Sequence, residues 1–320
     1  MKAVVLDGKT LNPGDNPWHP VRDALGDGCD FIVYDHTEES QITERAQGAQ
    51  VVLTNKAYLS TETIQALPEL QLICVLATGV NSVDLEGAAN RNVTVCNVPE
   101  YGTQSVAQFV MAQMLHHVHR LSFHDDRIRE GAWQKSGSFS FWETPQIELA
   151  DLNFGIIGFG RIGQAVARLA SAFQMNVLVH TRNSQGIPSS YKAVSLPEVL
   201  QLSDVLSLHC VLTKETRGII NEAALAQMKS TALLINSARG SLIDEDALVN
   251  ALKAGQLAGA SLDVVPEEPI PGDSALLHAP NLLLTPHMAW ASLKARKRLM
   301  QTTADNISGF LRRAPQNTVR

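Results

Sequence analysis

Aromatic side chains, cysteine and positive charge are all in short supply in this 320-residue sequence, and each shortage excludes something. Lys and Arg number 26 against 32 Asp and Glu, a formal net charge of −6, and no block of basic residues appears anywhere. Nucleic acid and anionic membrane are therefore not expected as main partners. Cys29, Cys74, Cys96 and Cys210 stand far apart in mostly apolar surroundings with no CxxC pair. That usage fits free thiols in a reducing compartment, not a disulfide framework or a zinc site. No run of about 18 apolar residues is present to span a membrane. Residues 1–8 turn polar too soon for a signal peptide and read as a first β-strand, so a cytoplasmic protein is expected. With only 5% aromatic residues, the positions of Trp18, Trp133, Trp142 and Trp290 become a question in themselves.

What is present is an ordinary globular content, 45% apolar and 18% charged, in a chain long enough for two cores. Short aliphatic runs at 3–6, 31–34, 51–53, 72–76 and 93–96 alternate with helical stretches near 21–25, 38–47, 61–67 and 83–90. Runs of three to five residues without period-2 alternation predict strands buried on both faces, hence a parallel sheet with helical crossovers. One long helix is predicted over 102–119, followed by a polar and aromatic stretch at 136–144 without periodicity. A second series then supplies seven runs, at 154–157, 177–180, 193–194, 204–209, 232–236, 259–263 and 282–285. A last amphipathic helix is predicted over 292–311, with Leu293, Leu299, Ile307 and Phe310 inward. The fold class expected is α/β, with two doubly wound parallel-sheet domains. Periodicity leaves open which domain the last helix joins.

Gly158-Phe159-Gly160-Arg161-Ile162-Gly163 is a G-x-G-x-x-G that follows one aliphatic run and opens a helix over 164–173, which feeds the next run. Strand, turn, helix and strand in that order make a dinucleotide cradle. Gly158 permits the tight turn, Gly160 lets backbone approach a pyrophosphate, and Gly163 lets helix and strand pack closely, while the helix N-terminus presents its N–H groups to phosphate. Arg161 and Ile162 belong to the same turn. Some 20 residues on, a carboxylate would bond the ribose hydroxyls of NAD. Here the run ends His180-Thr181-Arg182-Asn183, without an acid. Thr181 and Arg182 suit a 2′-phosphate, which argues for NADP in preference to NAD. The alternative is that Arg182 is a solvated loop charge and NAD serves.

Three more segments end strands of the second series, the edge where ligands of open α/β sheets sit. They are Asn236-Ser237-Ala238-Arg239-Gly240, the stretch Asp263-Val264-Val265-Pro266-Glu267-Glu268-Pro269, and Pro286-His287-Met288-Ala289-Trp290. Singly, Arg239 reads as a surface charge, Glu268 as a turn acid and His287 as a loop imidazole. Together they are the groups needed for hydride transfer to a 2-oxo acid. With Asn97-Val98-Pro99 and Ser105-Val106-Ala107, these motifs stand in an order that resembles the D-isomer-specific 2-hydroxyacid dehydrogenase family over essentially the whole chain. Thr54-Asn55-Lys56 and Ala77-Thr78-Gly79-Val80 resemble its glycerate dehydrogenase (hydroxypyruvate or glyoxylate reductase) branch.

The resemblance implies a division of roles. His287 would exchange a proton with the substrate oxygen, and Glu268 would hold the imidazole and support its protonated form. Arg239 would grip the substrate carboxylate. Backbone amides of Thr78, Gly79 and Val80 would complete that grip, with Lys56 adding charge and Trp290 lining the site. Ser237 and Ala238 would join the cofactor site, and Asp263 would orient the nicotinamide carboxamide. Glu267 matches no role. The resemblance also implies a Rossmann-type cofactor domain over residues 100–287 and a smaller flavodoxin-like substrate domain from 1–99 and 288–320, with a cleft and hinge. A homodimer through the long helix and the 120–150 segment is implied too, with Trp142 of that segment a candidate to reach a neighbouring subunit and Trp133 and Trp18 as packing residues. No metal is called for, and His116, His117, His119 and His124 read as imidazoles favourably placed near a helix C-terminus. Other 2-oxo acids, or a cofactor-sensing protein resembling a corepressor, stand as alternative functions.

Overall fold

The aliphatic runs become strands that sort into two sheets. The structure is a computed structural model that describes residues 1–319. It divides into two compact units, one built from Met1–Gly102 and the chain from Trp290 onward, the other from Thr103–Ala289. The sequence reading put these crossings after residues 99 and 287. They fall later because Tyr101 is still anchored in unit 1, its carbonyl accepting two bonds from the Arg298 guanidinium at 2.9 and 2.7 Å. Met288 and Ala289 are likewise held in unit 2 by Asp263.

In unit 1 the strands β1 (Lys2–Val5), β2 (Asp30–Val33), β3 (Val51–Thr54), β4 (Leu72–Val75) and β5 (Thr94–Cys96) pair in parallel in the order β5-β4-β3-β1-β2. A short strand at Thr318–Val319 adds antiparallel to β5, so this sheet is not wholly parallel as expected. Two residues are too few for a sequence pattern. Alternate residues of each strand enter different cores: Ala3, Val5 and Leu53 join one with Val21 and Leu25, and Val4, Leu6 and Val52 join the other with Ile42 and Ile64. Burial on both faces, at about 1.5–3 kcal/mol for each large aliphatic side chain, is what erased the period-2 signal. The helix Leu293–Leu311 places Leu299, Met300, Ala304 and Ile307 in the first of these cores. Leu293 is an exception to the predicted inward set, being 39% exposed in the first turn beside the capping Ser292. The helix expected over 38–47 is a 3-10 turn, Glu39–Gln41, followed by the short helix Ile42–Ala46.

Unit 2 has seven parallel strands, β6 (Asn153–Ile157), β7 (Asn176–His180), β8 (Lys192–Ala193), β9 (Val205–Leu208), β10 (Leu233–Asn236), β11 (Gly259–Leu262) and β12 (Leu282–Leu284), ordered β12-β11-β10-β9-β6-β7-β8. The order reverses at β6, which is where an open α/β sheet leaves a crevice for ligands. One face is covered by the helices Thr103–His119 and Arg161–Ala172. The other packs Leu206, Leu208, Leu234 and Leu262 against Val199, Leu225, Leu248 and Leu252. Two helices that the sequence reading did not anticipate, Leu121–Arg129 and Ala132–Ser136, contain no buried residue and so carry no apolar stripe to betray them. All four cysteines are free, Cys74 and Cys96 buried and Cys29 and Cys210 only partly so.

Candidate active site

The glycine turn after β6 can be read one residue at a time. Gly158 adopts φ +95°, and a Cβ there would lie 2.4 Å from the backbone nitrogen of Cys210. A Cβ on Gly163 would lie 2.3 Å from the Gly158 carbonyl oxygen. Packing alone therefore demands both glycines. Gly160 is different, for nothing lies within 4 Å of its Cβ position. The bare backbone at Gly160 faces open space at the start of the Arg161–Ala172 helix, whose first turn has no acidic residue to oppose an anion. Ile162 is half-buried and Arg161 exposed in that turn. Ser237 adds a second sign of a ligand, a buried hydroxyl with no hydrogen-bond partner in the protein. An open glycine cradle and an orphaned hydroxyl fit a bound dinucleotide.

At the end of β7, Thr181 is half-buried and Arg182 exposed. Glu215 answers from the loop after β9. Its carboxyl is held below the usual carboxylate range chiefly by the Thr213 hydroxyl, then by backbone, with a smaller contribution from the Arg182 guanidinium. The Thr213 bond is 2.6 Å long.

Two further loops bring the proposed catalytic groups together. At the end of β10 the Asn236 side chain accepts from Ala238 N at 3.0 Å and donates to the Arg239 carbonyl at 2.8 Å, closing the turn that presents Ala238 and Arg239. Gly240 comes next because the chain has no room for anything larger; a Cβ there would sit 2.0 Å from the Val265 carbonyl carbon. The Arg239 turn is thus pressed against the loop that carries Glu268. Arg239 is exposed, with one guanidinium nitrogen donating to the Ala238 carbonyl at 2.7 Å.

His287 follows β12 with φ +51°, a left-handed conformation that costs a non-glycine residue roughly 1 kcal/mol or more and must be held by its surroundings. Asp263, only 1% exposed, does the holding. Its Oδ1 accepts from Thr285 Oγ1 at 2.7 Å and Met288 N at 2.9 Å, its Oδ2 from Ala289 N at 2.9 Å, and its carbonyl from His287 N at 2.8 Å. The resemblance implies that Asp263 orients the nicotinamide carboxamide; its two carboxylate oxygens also hold the histidine loop in place. The outcome is a 2.7 Å bond between His287 Nδ1 and Glu268 Oε2, both side chains about 30% exposed (31% and 30%). A carboxylate can only accept, so Nδ1 carries the proton of this bond and Nε2 is the nitrogen not engaged by Glu268.

The remaining predicted residues lie in unit 1. The 78–80 loop after β4 is pinned to the segment after β5, with Thr78 Oγ1 donating to the Val98 carbonyl and Asn97 Nδ2 to the Thr78 carbonyl, each at 2.8 Å. Gly79 and Val80 are half-buried there, and Lys56 is exposed in the loop after the neighbouring β3. Trp290 packs on the unit 1 core, edge-on to Tyr101 with centroids 6.0 Å apart. Trp18 is buried, as expected of a packing residue, but Trp133 is 42% exposed in a helix that buries nothing. Among the described residues no His, Cys, Asp and Glu group has the makings of a metal site. Sequence reasoning assigned no reason to Asn236 or Gly240; an Asn at a strand end and a Gly directly after the Arg were the available signals.

A parallel sheet with a glycine cradle at its switch point, and a carboxylate-paired histidine at the same strand ends, define a dinucleotide-dependent oxidoreductase. Comparison with known proteins narrows the class. A family model described as D-isomer specific 2-hydroxyacid dehydrogenase, NAD binding domain, matches residues 111–289. The chain is 43% identical to the hydroxypyruvate reductase of Blautia hydrogenotrophica, covering 100% of this chain and 99% of that one. It is 38% identical to the glycerate dehydrogenase of Methylorubrum extorquens over 87% of this chain and 88% of that protein. A solved structure from Thermus thermophilus has a TM-score of 0.86 at 32% identity, with 100% of both chains covered. The chain belongs to the D-isomer-specific 2-hydroxyacid dehydrogenase family and uses a nicotinamide cofactor.

Proposed function

We propose that the protein reduces hydroxypyruvate or glyoxylate to the corresponding 2-hydroxy acid, the hydroxypyruvate product being D-glycerate, with NADPH preferred over NADH. The observation that carries this reading is the 2.7 Å His287–Glu268 bond in the same unit as the glycine cradle. When bound, the cofactor would supply the hydride; Gly158, Gly160, Arg161, Ile162 and Gly163 would hold its pyrophosphate, Thr181 and Arg182 its ribose, and Ser237 and Ala238 would join the same site. His287 gives the Nε2 proton to the carbonyl oxygen as that oxygen becomes an alkoxide. Glu268 stabilises the imidazolium before transfer and keeps Nδ1 protonated after it. Arg239 neutralises the substrate carboxylate and draws charge towards the reacting oxygen. Water reprotonates His287, so each turnover consumes one proton and one hydride.

Residues of unit 1 complete the reading. The amides of Thr78, Gly79 and Val80 bind the substrate carboxylate, Lys56 adds charge and Trp290 contributes an apolar wall; this unit is the substrate domain and Thr103–Ala289 the dinucleotide-binding domain. Support for the substrate comes from relatives named hydroxypyruvate reductase, glycerate dehydrogenase and glyoxylate reductase. Support for NADPH comes from the missing acid after β7 and from a structural neighbour, an acyclic imino acid reductase in complex with NADPH, at 28% identity and TM-score 0.86 over 100% of both chains. Support for a homodimer comes from the apolar surface of one segment, where Leu121 is 73%, Trp142 66% and Phe139 92% exposed. A panel of 2-oxo acids with NADPH and NADH tests the assignment. Hydroxypyruvate or glyoxylate is expected to give the highest kcat/KM, and His287→Ala to lower kcat at least about 100-fold; no turnover of any 2-oxo acid would refute the proposal.

A further inference from the structure

Asp7 follows β1, and β1 lies beside β3 in the sheet, so the loops after the two strands are neighbours. The Asp7 carboxylate is 9% exposed. It accepts three consecutive backbone amides of the loop after β3, with Oδ1 bonded to Asn55 N at 2.8 Å and Oδ2 to Lys56 N at 2.5 Å and Ala57 N at 3.0 Å. Successive N–H groups converging on one point form an anion-binding concavity; here the protein fills it with its own carboxylate. Two further bonds lock the same loop, Asn55 Nδ2 to Thr10 Oγ1 at 3.1 Å and Thr54 Oγ1 to the Ala57 carbonyl at 2.7 Å. At the middle of this fixed turn stands Lys56, exposed.

Ending a strand does not require a buried carboxylate. Removing one from water is costly, and only charge-assisted bonds of this kind offset it. What the arrangement gains is a single backbone geometry under an ammonium group at the edge of the sheet, one strand from the 78–80 loop. The three amide dipoles partly offset the Asp7 charge, and the carboxylate is committed to the backbone of the turn. We propose that Asp7 is a positioning residue for substrate binding, acting through Lys56 by fixing the 55–57 turn. This rests on the functional reading above, and it makes the substrate-binding charge of unit 1 depend on a residue in a different loop.

Steady-state kinetics on the full chain with hydroxypyruvate test it through a double-mutant cycle. Lys56→Ala is expected to raise the 2-oxo acid KM roughly tenfold, the loss of one charge-assisted contact. Asp7→Asn should raise it by a similar factor, with kcat changed less than about threefold and the NADPH dissociation constant unaltered. In the double variant the factor should be no larger than for Lys56→Ala alone, and amide hydrogen exchange at 55–57 should quicken in Asp7→Asn. If Asp7→Asn does not fold, Asp7→Ser keeps one acceptor and serves in its place. An unchanged KM, or effects that multiply in the double variant, would overturn the role of Asp7 while leaving the functional reading intact. Absence of 2-oxo acid turnover by the unsubstituted protein would instead overturn that reading and the role with it.

Discussion

In the proposed NADPH site Arg182 takes the place of a carboxylate that would repel a 2′-phosphate, and its charge makes a minor contribution to keeping the Glu215 carboxyl low. A bidentate arginine contact is worth about 1.5–3 kcal/mol, which is roughly 10- to 100-fold in kcat/KM. Arg182→Ala is expected to lower kcat/KM for NADPH by that factor and to leave NADH within about threefold, so that the ratio of the two reports the guanidinium directly. At this scale the sequence was informative wherever a residue belongs to an ordered motif. Glu268 and His287 could be paired through the family resemblance of their motifs, with Pro269 marking Glu268 rather than Glu267. Asp7 could not, since a lone acid after a first strand looks like any turn residue; its value lies in three amides some fifty positions away. Asp263 stood out in the sequence through its motif, but its clamp on residues 285–289 becomes visible only once β11 and β12 are seen side by side.

Secondary-structure elements were legible to the extent that they are buried. β3, β4, β9, β10 and β11 are buried at every position, which turns each into an uninterrupted aliphatic or near-aliphatic run. The Leu121–Arg129 helix buries nothing and left no such trace. The 3-10 turn Gly240–Leu242 is the sharpest case of an element whose geometry matters more than its pattern. Its first residue meets the Val265 and Pro266 backbone, so Gly240→Ala must push apart the loops that hold Arg239 and Glu268. The variant is expected to fold with a melting temperature lowered by several degrees, a cost of about 1–3 kcal/mol, and to lose at least about tenfold in kcat. Wild-type kcat in a folded Gly240→Ala protein would show that the two loops are not mechanically joined.

For the molecule as a whole, two half-buried imidazoles set a pH limit. His209, beside Ser207, is pushed down to about 4 by burial. His117, under the Ala260 carbonyl, is pushed down to about 4 by burial and then by His116 and Arg120. Both are neutral in the folded protein while an unfolded chain protonates them near 6.5. Between about 4 and 6.5 the unfolded state binds more protons, so their stabilising contribution is complete above 6.5 and is lost progressively as pH falls towards 4. Each tenfold loss of proton affinity on folding corresponds to about 1.4 kcal/mol. Urea midpoints of the full chain should fall steadily from pH 7 to pH 5, and His117→Gln should flatten the slope; a midpoint that is constant over that range would contradict the assignment.

The division of unit 1 by the insertion of unit 2 bears on how the chain is made. Leu299, Met300, Ala304 and Ile307 form part of the core that also contains Ala3, Val5 and Val21, yet they follow the whole of unit 2 in sequence. A chain emerging in order from a ribosome completes Thr103–Ala289 while the first sheet still lacks the helix that covers one of its faces. Unit 2 can bury its core from contiguous sequence; in unit 1 the core around Val5, Leu53 and Leu72 has Val21 and Leu25 early but is completed only when the last helix arrives. Until then, the part of the first core that this helix covers stays open on the nascent chain.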